Sequence, residues 1–467
     1  MISRRYTHVI SSVSAALLLL CSSRCAQQKG NGEHQTGGLT SARDSISIEM
    51  RKVLDNEFRL WYPLSIDTVD GGFYSDINSQ WELDGRQEKM IVTQARHVWS
   101  TANAVKFYRK TSTLLSVAAH GAAFLERTMW DHELGGFYDL VNKQGKPILE
   151  DGKIVKRTYG NAFAIYGLAA YFAASGDSAA LRLAQKGFLW LEKHSYDPVH
   201  GGYFQFLSRD GSPFTDGYRG APPKDQNSSI HIMESFTELY RVWPDSRLKE
   251  RLSSLLRIIR DTITTKQGYM VLFFQRDWTP VSFRDSPPGV RERQYEFDHV
   301  SFGHDVETAY LMLEASEILG IKNDTSTLNV GKRMVDHALR YGWDSERGGF
   351  YDGGYYFSGK AAPSIIRNTK EWWSEAEALN SLLLMSELFP KDSMGYYDKF
   401  CMQWEYCKRY LIDHDHGGWY WGGIDIVPGN MTFPKGTIWK ADYHTSRALI
   451  NCIERLKHGQ VHSSIKD

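Results

Sequence analysis

The chain has 467 residues, and 55 Lys plus Arg face 55 Asp plus Glu, so its formal net charge is zero. That balance argues against a polyanion-binding protein, which carries a basic excess or patch, and against an acidic disordered chain. The aromatic share is 13%, with 14 Trp, 25 Tyr and 22 Phe, and by itself it fits either bulky core filling or sugar stacking on flat rings.

At the N-terminus, Arg4 and Arg5 precede an apolar run from Val9 to Leu20. The run is about twelve residues, short of the roughly twenty that a membrane span needs, and it suits the core of a signal peptide. Cys21 and Cys25 follow, but Leu20 and Arg24 precede them where a lipoprotein leader has a small residue. The expectation is a signal peptide over 1–25, with lipid anchoring at one of these cysteines left open. A flexible, polar, Gly-rich tether is expected over 26–45, then one folded domain over 46–460. The other cysteines are Cys401, Cys407 and Cys452. Cys401 and Cys407 would point to different faces of a helix, and no disulfide framework is implied.

The folded part is organised by a repeat. The pattern Asp-x-x-x-Gly-Gly-aromatic-aromatic starts at Asp67, Asp131, Asp197, Asp344 and Asp413, and a worn copy, TKQGYM, ends at Met270. The second glycines, with Gly268 as the stand-in, fall at 72, 136, 202, 268, 349 and 418, at intervals of 64, 66, 66, 81 and 69. Such periodicity signals a repeat architecture. Between the turns, 115–130, 161–175, 179–194 and 230–242 carry apolar residues at three- and four-residue spacing, the mark of helices. Each interval holds two helices, an α-hairpin. Six hairpins predict an all-α fold, an (α/α)6 barrel with inner helices around a central cavity; an open solenoid is the competing arrangement. The longest interval contains 280–298, PVSFRDSPPGVRERQYEFD, read as an inserted loop at one mouth of the barrel.

Five copies of a turn cannot all be one active site, so the GG-aromatic motifs read as scaffold. His414 and His416 sit in one such turn and are not expected to bind metal. The chemistry-bearing candidates lie elsewhere. In DHVSFGHDVETAY, His304 and Glu307 are three apart and share a helical face, as a base and the group that orients it would. His231 and Glu234 do the same in NSSIHIMESFTELYRVWPD, where Asn227 or Ser228 can cap the helix. KEWWSEAEA brings Trp373 and Glu377, IWKADYHTSR brings Trp439 and His444, and VTQARHVW brings Arg96 and Trp99. Each alone fits an ordinary buried or capping residue. Together they set His, Glu, Trp and Arg on successive helix starts around a ring.

These motifs resemble the N-acylglucosamine 2-epimerase superfamily, and within it the cellobiose or mannobiose 2-epimerase branch, over about residues 45–460. The resemblance implies Arg96 as a substrate-binding arginine and His231 as a histidine that steadies the reacting oxygens. It implies His304 and His444 as the two acid/bases, with Glu307 partnering His304. Trp373, Glu377 and Trp439 fall at sugar-binding positions, and Tyr310 and Glu234 are expected to contact substrate beside them. The chain departs from the family's pattern at Asn227–His231, where the first of two histidines is absent, and at Tyr310, where a tryptophan is usual.

Inverting C2 of a reducing sugar needs a base on each face of an enediolate, and neutral histidines suit that work. Arg96 and His231 would stabilise the developing oxyanion. The expected substrate is the reducing end of a β-1,4-linked disaccharide. A monosaccharide or N-acylglucosamine 2-epimerase, or an aldose–ketose isomerase, would use the same enediolate. A glycoside hydrolase would need two facing carboxylates, for which Glu307, Glu377 or Asp305 would have to serve. No GxGxxG or zinc pattern is present, so no cofactor and no metal are expected. The remaining expectations are a small oligosaccharide as the partner, no nucleic acid, a monomer, and an exported protein, periplasmic or held at a membrane by its lipid.

Overall fold

A computed structural model describes residues 34–109 and 112–461. The expected signal peptide, with Cys21 and Cys25, lies outside these residues. The chain divides into two units, Met1–Ile46 and Ser47–Asp467. The described part of the first unit is the opening of a helix that begins at His34. The stretch expected as a tether over 26–45 is therefore helical from His34 on. Met50, Leu54 and Phe58, buried at four-residue spacing, start a helical pattern that propagates back into polar sequence.

Fourteen α-helices are described: α1 (His34–Trp61), α2 (Ile91–Tyr108), α3 (Ser112–Phe124), α4 (Thr158–Ser175), α5 (Ser178–His194), α6 (Gln226–Val242), α7 (Ser246–Ile258), the short α8 (Pro288–Arg293) and α9 (Tyr295–Asp298), α10 (Phe302–Ile318), α11 (Thr325–Tyr341), α12 (Trp372–Leu388), α13 (Tyr396–Tyr406) and α14 (Tyr443–Val461). The twelve long helices form two concentric rings. Inside, α2 packs on α4, α4 on α6, α6 on α10, α10 on α12, α12 on α14, and α14 returns to α2. That last contact closes the circle, so the fold is an (α/α)6 barrel and not an open solenoid. Outside, α3, α5, α7, α11 and α13 each pack on the inner helix that precedes them. The part of α1 from Ser47 onward completes the outer ring: Glu49 accepts from Trp404 of α13 (2.9 Å) and Asp55 from Tyr108 of α2 (2.6 Å).

Sequence decides which ring a helix joins. Inner helix α4, TYGNAFAIYGLAAYFAAS, is buried on nearly every face from Thr158 to Tyr171. Outer helix α5 buries only Ala180, Leu183, Ala184, Gly187, Phe188, Trp190 and Leu191, one stripe at helical spacing. Small residues let the inner helices approach: a Cβ on Gly167 would stand 2.7 Å from the Ala95 carbonyl oxygen of α2.

The repeated turns fasten each hairpin to the next. Asp67 caps its own turn by accepting the backbone N–H groups of Val69 and Asp70, and its other oxygen accepts from the buried Lys89 Nζ at 2.7 Å. The same clasp recurs as Lys156–Asp131 (3.0 Å), Lys224–Asp197 (3.0 Å), Lys370–Asp344 (2.8 Å) and Lys435–Asp413 (2.6 Å). Each lysine except Lys435 lies within two residues of the first turn of an inner helix. The clasp thus ties the end of one outer helix to the entry of the next inner one. The paired glycines take positive φ, and a Cβ on Gly136 would stand 2.6 Å from the Trp190 ring, so the turn admits no side chain there.

The 280–298 insertion is not wholly a loop. It holds α8 and α9, and Pro288 begins α8 because its fixed φ suits a first helical position. Its side chains lie on the strand pair Gly353–Tyr355 and Ser364–Arg367: Tyr295 meets Tyr355 at 4.6 Å between ring centroids, and Asp298 accepts from Tyr355 Oη at 2.9 Å. It contributes none of the residues that line the cavity described next.

Candidate active site

The N-termini of the inner helices converge at one end of the barrel on a cavity of about 280 Å³. Its walls are the first two turns of these helices: Arg96 of α2, Tyr159 of α4, Asn227 and His231 of α6, His304 and Glu307 of α10, Trp372 and Trp373 of α12, and His444 of α14. Glu371, Trp421 and Trp439 extend the wall from adjoining segments. Helix N-termini carry partial positive charge, which favours an anion forming among them. A larger cavity, about 460 Å³, occupies the opposite end, where the C-terminal turns of the inner helices present Glu238, Glu314 and Arg241. That second chamber has no histidine in its wall, whereas the histidines expected as bases line the first.

The two histidines expected as bases both face the active-site cavity, and both touch one indole: the Trp373 ring centroid lies 4.6 Å from that of His304 and 5.9 Å from that of His444. Their partners differ from expectation. His304 Nδ1 bonds Ser301 Oγ at 2.7 Å, not Glu307. His304 is the third residue of α10, so its ring turns back to the residue that precedes the helix, while Glu307, one turn on, points inward to Arg447. His444 Nδ1 lies 2.6 Å from Glu377 Oε1. Arg447 donates twice to that same oxygen, so the proton of the His444–Glu377 bond sits on Nδ1 and Nε2 keeps its lone pair. Burial pushes the His304 pKa down to about 3, with the charges of His231, His299, His444 and Arg96 adding to it. Burial, Arg96 and Arg447 likewise hold His444 well below the usual histidine range. Both rings are therefore neutral, as bases must be.

Beneath the cavity lies a charge network centred on Arg447, which the sequence reading passed over. Its guanidinium donates to Glu234, Glu307, Glu377 and Tyr443. Glu234 also receives Tyr443 Oη (2.6 Å) and pairs with His231 Nδ1 (2.7 Å). Burial alone would raise Glu234, but Arg447, His231 and Tyr443 overcome it and hold its pKa down to about 2. Burial raises Glu307, and the neighbouring Glu377 adds to the rise against the pull of Arg447. Burial also raises Glu377, opposed by Arg447 and Tyr310. Glu307, Glu377 and His444 bring three ligand-type atoms within 4.8 Å of one another, a cluster that could hold a cation. Arg447 donates to one oxygen of Glu307 and of Glu377, and His444 Nδ1 shares that Glu377 oxygen, so a cation there would sit against the positive guanidinium.

Glu234, Glu377 and Tyr310, expected at the substrate, lie under it and do not line the cavity. Tyr310 is 1% exposed and donates to Glu377 Oε2 at 2.7 Å. Arg96 is in the wall, placed by donation to the Trp439 carbonyl (3.3 Å) and Tyr159 Oη (3.2 Å) and by stacking over Phe163 at 4.5 Å. Trp439 is 47% exposed at the rim, on the approach to α14 rather than within it. The cap of α6 is Asp225, which accepts the Ser228 N–H at 3.1 Å, where Asn227 or Ser228 was expected; Asn227 is free to face the cavity. Trp372, Trp421, Glu371 and Tyr159 are wall residues that the sequence did not single out. Arg447 had a signal, since it follows His444 by three residues and so shares its helical face.

Asp305 is buried away from the cavity, accepting the Met270 N–H at 2.9 Å. Glu307 and Glu377 are both clamped to Arg447 and do not face each other across open space. Asp305, Glu307 and Glu377, the carboxylates considered for glycoside hydrolysis, therefore do not form the facing pair that reaction needs.

The family model for N-acylglucosamine 2-epimerase (GlcNAc 2-epimerase) matches residues 72–448. A cellobiose 2-epimerase of Bacteroides fragilis is 30% identical over 417 residues, 88% of this chain and 98% of that one. A second, from Ruminococcus albus, is 28% identical over 418 residues, 88% of this chain and 98% of that one. Among solved structures, cellobiose 2-epimerase from Spirochaeta thermophila superposes with a TM-score of 0.77 at 29% identity, covering 92% of this chain and all of the other.

Proposed function

The chain belongs to the N-acylglucosamine 2-epimerase family, and from that premise we propose that it inverts C2 at the reducing end of a β-1,4-linked disaccharide of the cellobiose or mannobiose type. The observation that carries this reading is the pair of neutral histidines, His304 and His444, set against one indole in a polar cavity.

The open-chain aldehyde makes the C2 proton acidic. One histidine removes it through its cavity-facing nitrogen, leaving a planar enediolate. The other, neutral in the resting site, takes up a proton from solvent once the enediolate has formed and delivers it to the opposite face of C2, which gives the epimer, while the first releases the abstracted proton to solvent. His444 is held for this by Glu377, which also stabilises the imidazolium once it forms; Ser301 holds His304. The negative charge that develops on the sugar oxygens meets Arg96 and His231, at about 2–4 kcal/mol per well-placed donor, together with the positive ends of the inner helices. Glu307 carries an unpartnered buried Oε2 in the cavity wall. With its pKa raised, it can present a proton to a sugar hydroxyl.

The cavity takes the reducing ring, while Trp439 at the rim offers a surface for the second unit. The Arg4–Arg5 and Val9–Leu20 pattern supports the accompanying reading that the protein is exported.

The deciding experiment follows cellobiose, mannobiose, mannose and N-acetylglucosamine in heavy water by NMR. Epimer with deuterium at C2 is the expected product from the disaccharides. A ketose product would make the protein an isomerase, and released monosaccharide would make it a hydrolase.

A further inference from the structure

Glu371 is the one carboxylate of the cavity wall outside the Arg447 network. It is the residue before α12, half-buried, and its Oε2 accepts the indole N–H of Trp373 at 2.7 Å. Its Oε1 has no partner, and no lysine or arginine pairs with it among the described residues. Its backbone is fixed: its N–H donates to Asp352 Oδ1 (2.9 Å), and the segment bridges to Gly422, with the Trp372 N–H donating to the Trp421 carbonyl (3.1 Å). The carboxylate is therefore rigid, unpaired with any cation, and set among indoles.

Its place along α12 fixes which part of a substrate it meets. Glu377, six residues further on, lies under the cavity and bonds His444. At a rise of 1.5 Å per residue, the Glu371 backbone stands roughly 9 Å from that of Glu377, on the side of the mouth. Its carboxylate reaches the Trp373 indole from that side, so a ring bound between His304 and His444 has its linked unit within reach of the free oxygen.

We propose that Glu371 selects the second sugar of the substrate, accepting its hydroxyl groups on the free oxygen and rejecting units that carry a negative charge. This rests on the disaccharide reading above. A fixed carboxylate accepts hydroxyl protons well, and sugar rings on neighbouring indoles offer them at their edges. The same carboxylate repels a uronic acid at that position, so one residue supplies both the attraction and the exclusion.

The test measures binding and turnover of cellobiose, of glucose, and of a β-1,4 disaccharide whose non-reducing unit is a glucuronic acid. For Glu371→Ala, the rise in KM for cellobiose should exceed that for glucose by about tenfold or more, with kcat for cellobiose falling much less. For Glu371→Gln, kcat/KM for the uronic disaccharide should rise about tenfold relative to cellobiose. Equal losses on cellobiose and glucose would show that Glu371 acts only by holding Trp373, and would overturn the proposal. So would an unchanged preference between the neutral and uronic disaccharides in Glu371→Gln. A wild-type protein that binds glucose but no disaccharide at all would instead remove the disaccharide reading, and this proposal with it.

Discussion

His444 Nδ1 and Glu377 Oε1 lie 2.6 Å apart although 67 residues separate them in the chain. The bond joins two neighbouring inner helices, α12 and α14, at the level of the cavity floor. It fixes the imidazole tautomer and places a negative charge where an imidazolium will form. Replacing Glu377 with Gln keeps the size and removes the charge. The expected result is a fall in kcat of about 100-fold with a smaller change in KM, the mark of an interaction that matters most in the transition state. A KM-only effect would mean that Glu377 serves ground-state binding.

His304 and His444 should each be indispensable to epimerisation, and separable. Each alanine variant is expected to lose about a thousandfold or more in kcat while retaining the wild-type circular dichroism spectrum. With one base on each side of C2, as proposed, a single variant can still exchange the C2 proton from one epimer. Slow deuterium uptake into unreacted substrate, without epimer, would identify the base that remains. Near-normal turnover by either variant would end the two-base assignment.

The pH profile has a definite sign. A base works deprotonated, and burial lowers the pKa of His304 to about 3 and that of His444 well below its usual value. Lowered values move the acid limb down, so histidine protonation should not cut activity near pH 6.5, where an exposed histidine titrates. The expected kcat/KM is flat from about pH 8 to about pH 5. A limb centred near 6.5 would show that the free enzyme opens these rings to water.

Arg447 is the cation paired with three buried carboxylates, so its loss leaves them without a counter-charge. Arg447→Met should destabilise the protein by about 3–5 kcal/mol, read as a clear drop in melting temperature, and should also lower kcat. Arg447→Lys should recover part of the stability but less of the activity, because an ammonium cannot hold Glu234, Glu307 and Glu377 in one planar fork.

The lysine clasps make a pH-dependent prediction of their own. In Asp67, burial would raise the carboxyl, but Lys89 and the backbone N–H groups of Asp70 and Val69 pull it below its ordinary value. A depressed carboxylate stabilises the fold above its unfolded pKa of about 3.9, and that stabilisation is lost as pH falls through the folded value. Lys89→Met should therefore cost about 3–5 kcal/mol near neutrality. The gap to wild type should narrow below about pH 4, as Asp67 takes up a proton. A gap constant with pH would mean that the lysine contributes packing alone.

The sequence by itself determined the frame of this protein. Its near-regular glycine pairs set six hairpins, and helical spacing between them set two helices in each. The candidate site residues were legible as types at helix starts: Arg96, His231, His304, Glu307, Trp373 and His444 all reach the cavity. Periodicity could do this because repeat spacing and one-face helical patterns are local properties. Pairing came from the packed fold. Three-residue spacing pointed to His304–Glu307, yet His304 bonds three residues back to Ser301, and Glu307 pairs across the barrel with Arg447. Glu377, Glu234 and Tyr310 became supports under the site because neighbouring helices put Arg447 among them. The buried lysines follow their aspartates by 22 to 27 residues, an offset too variable to mark them in one sequence. A hydrogen bond depends on distance to a few tenths of an ångström, and across helices that distance is set by packing of the whole ring.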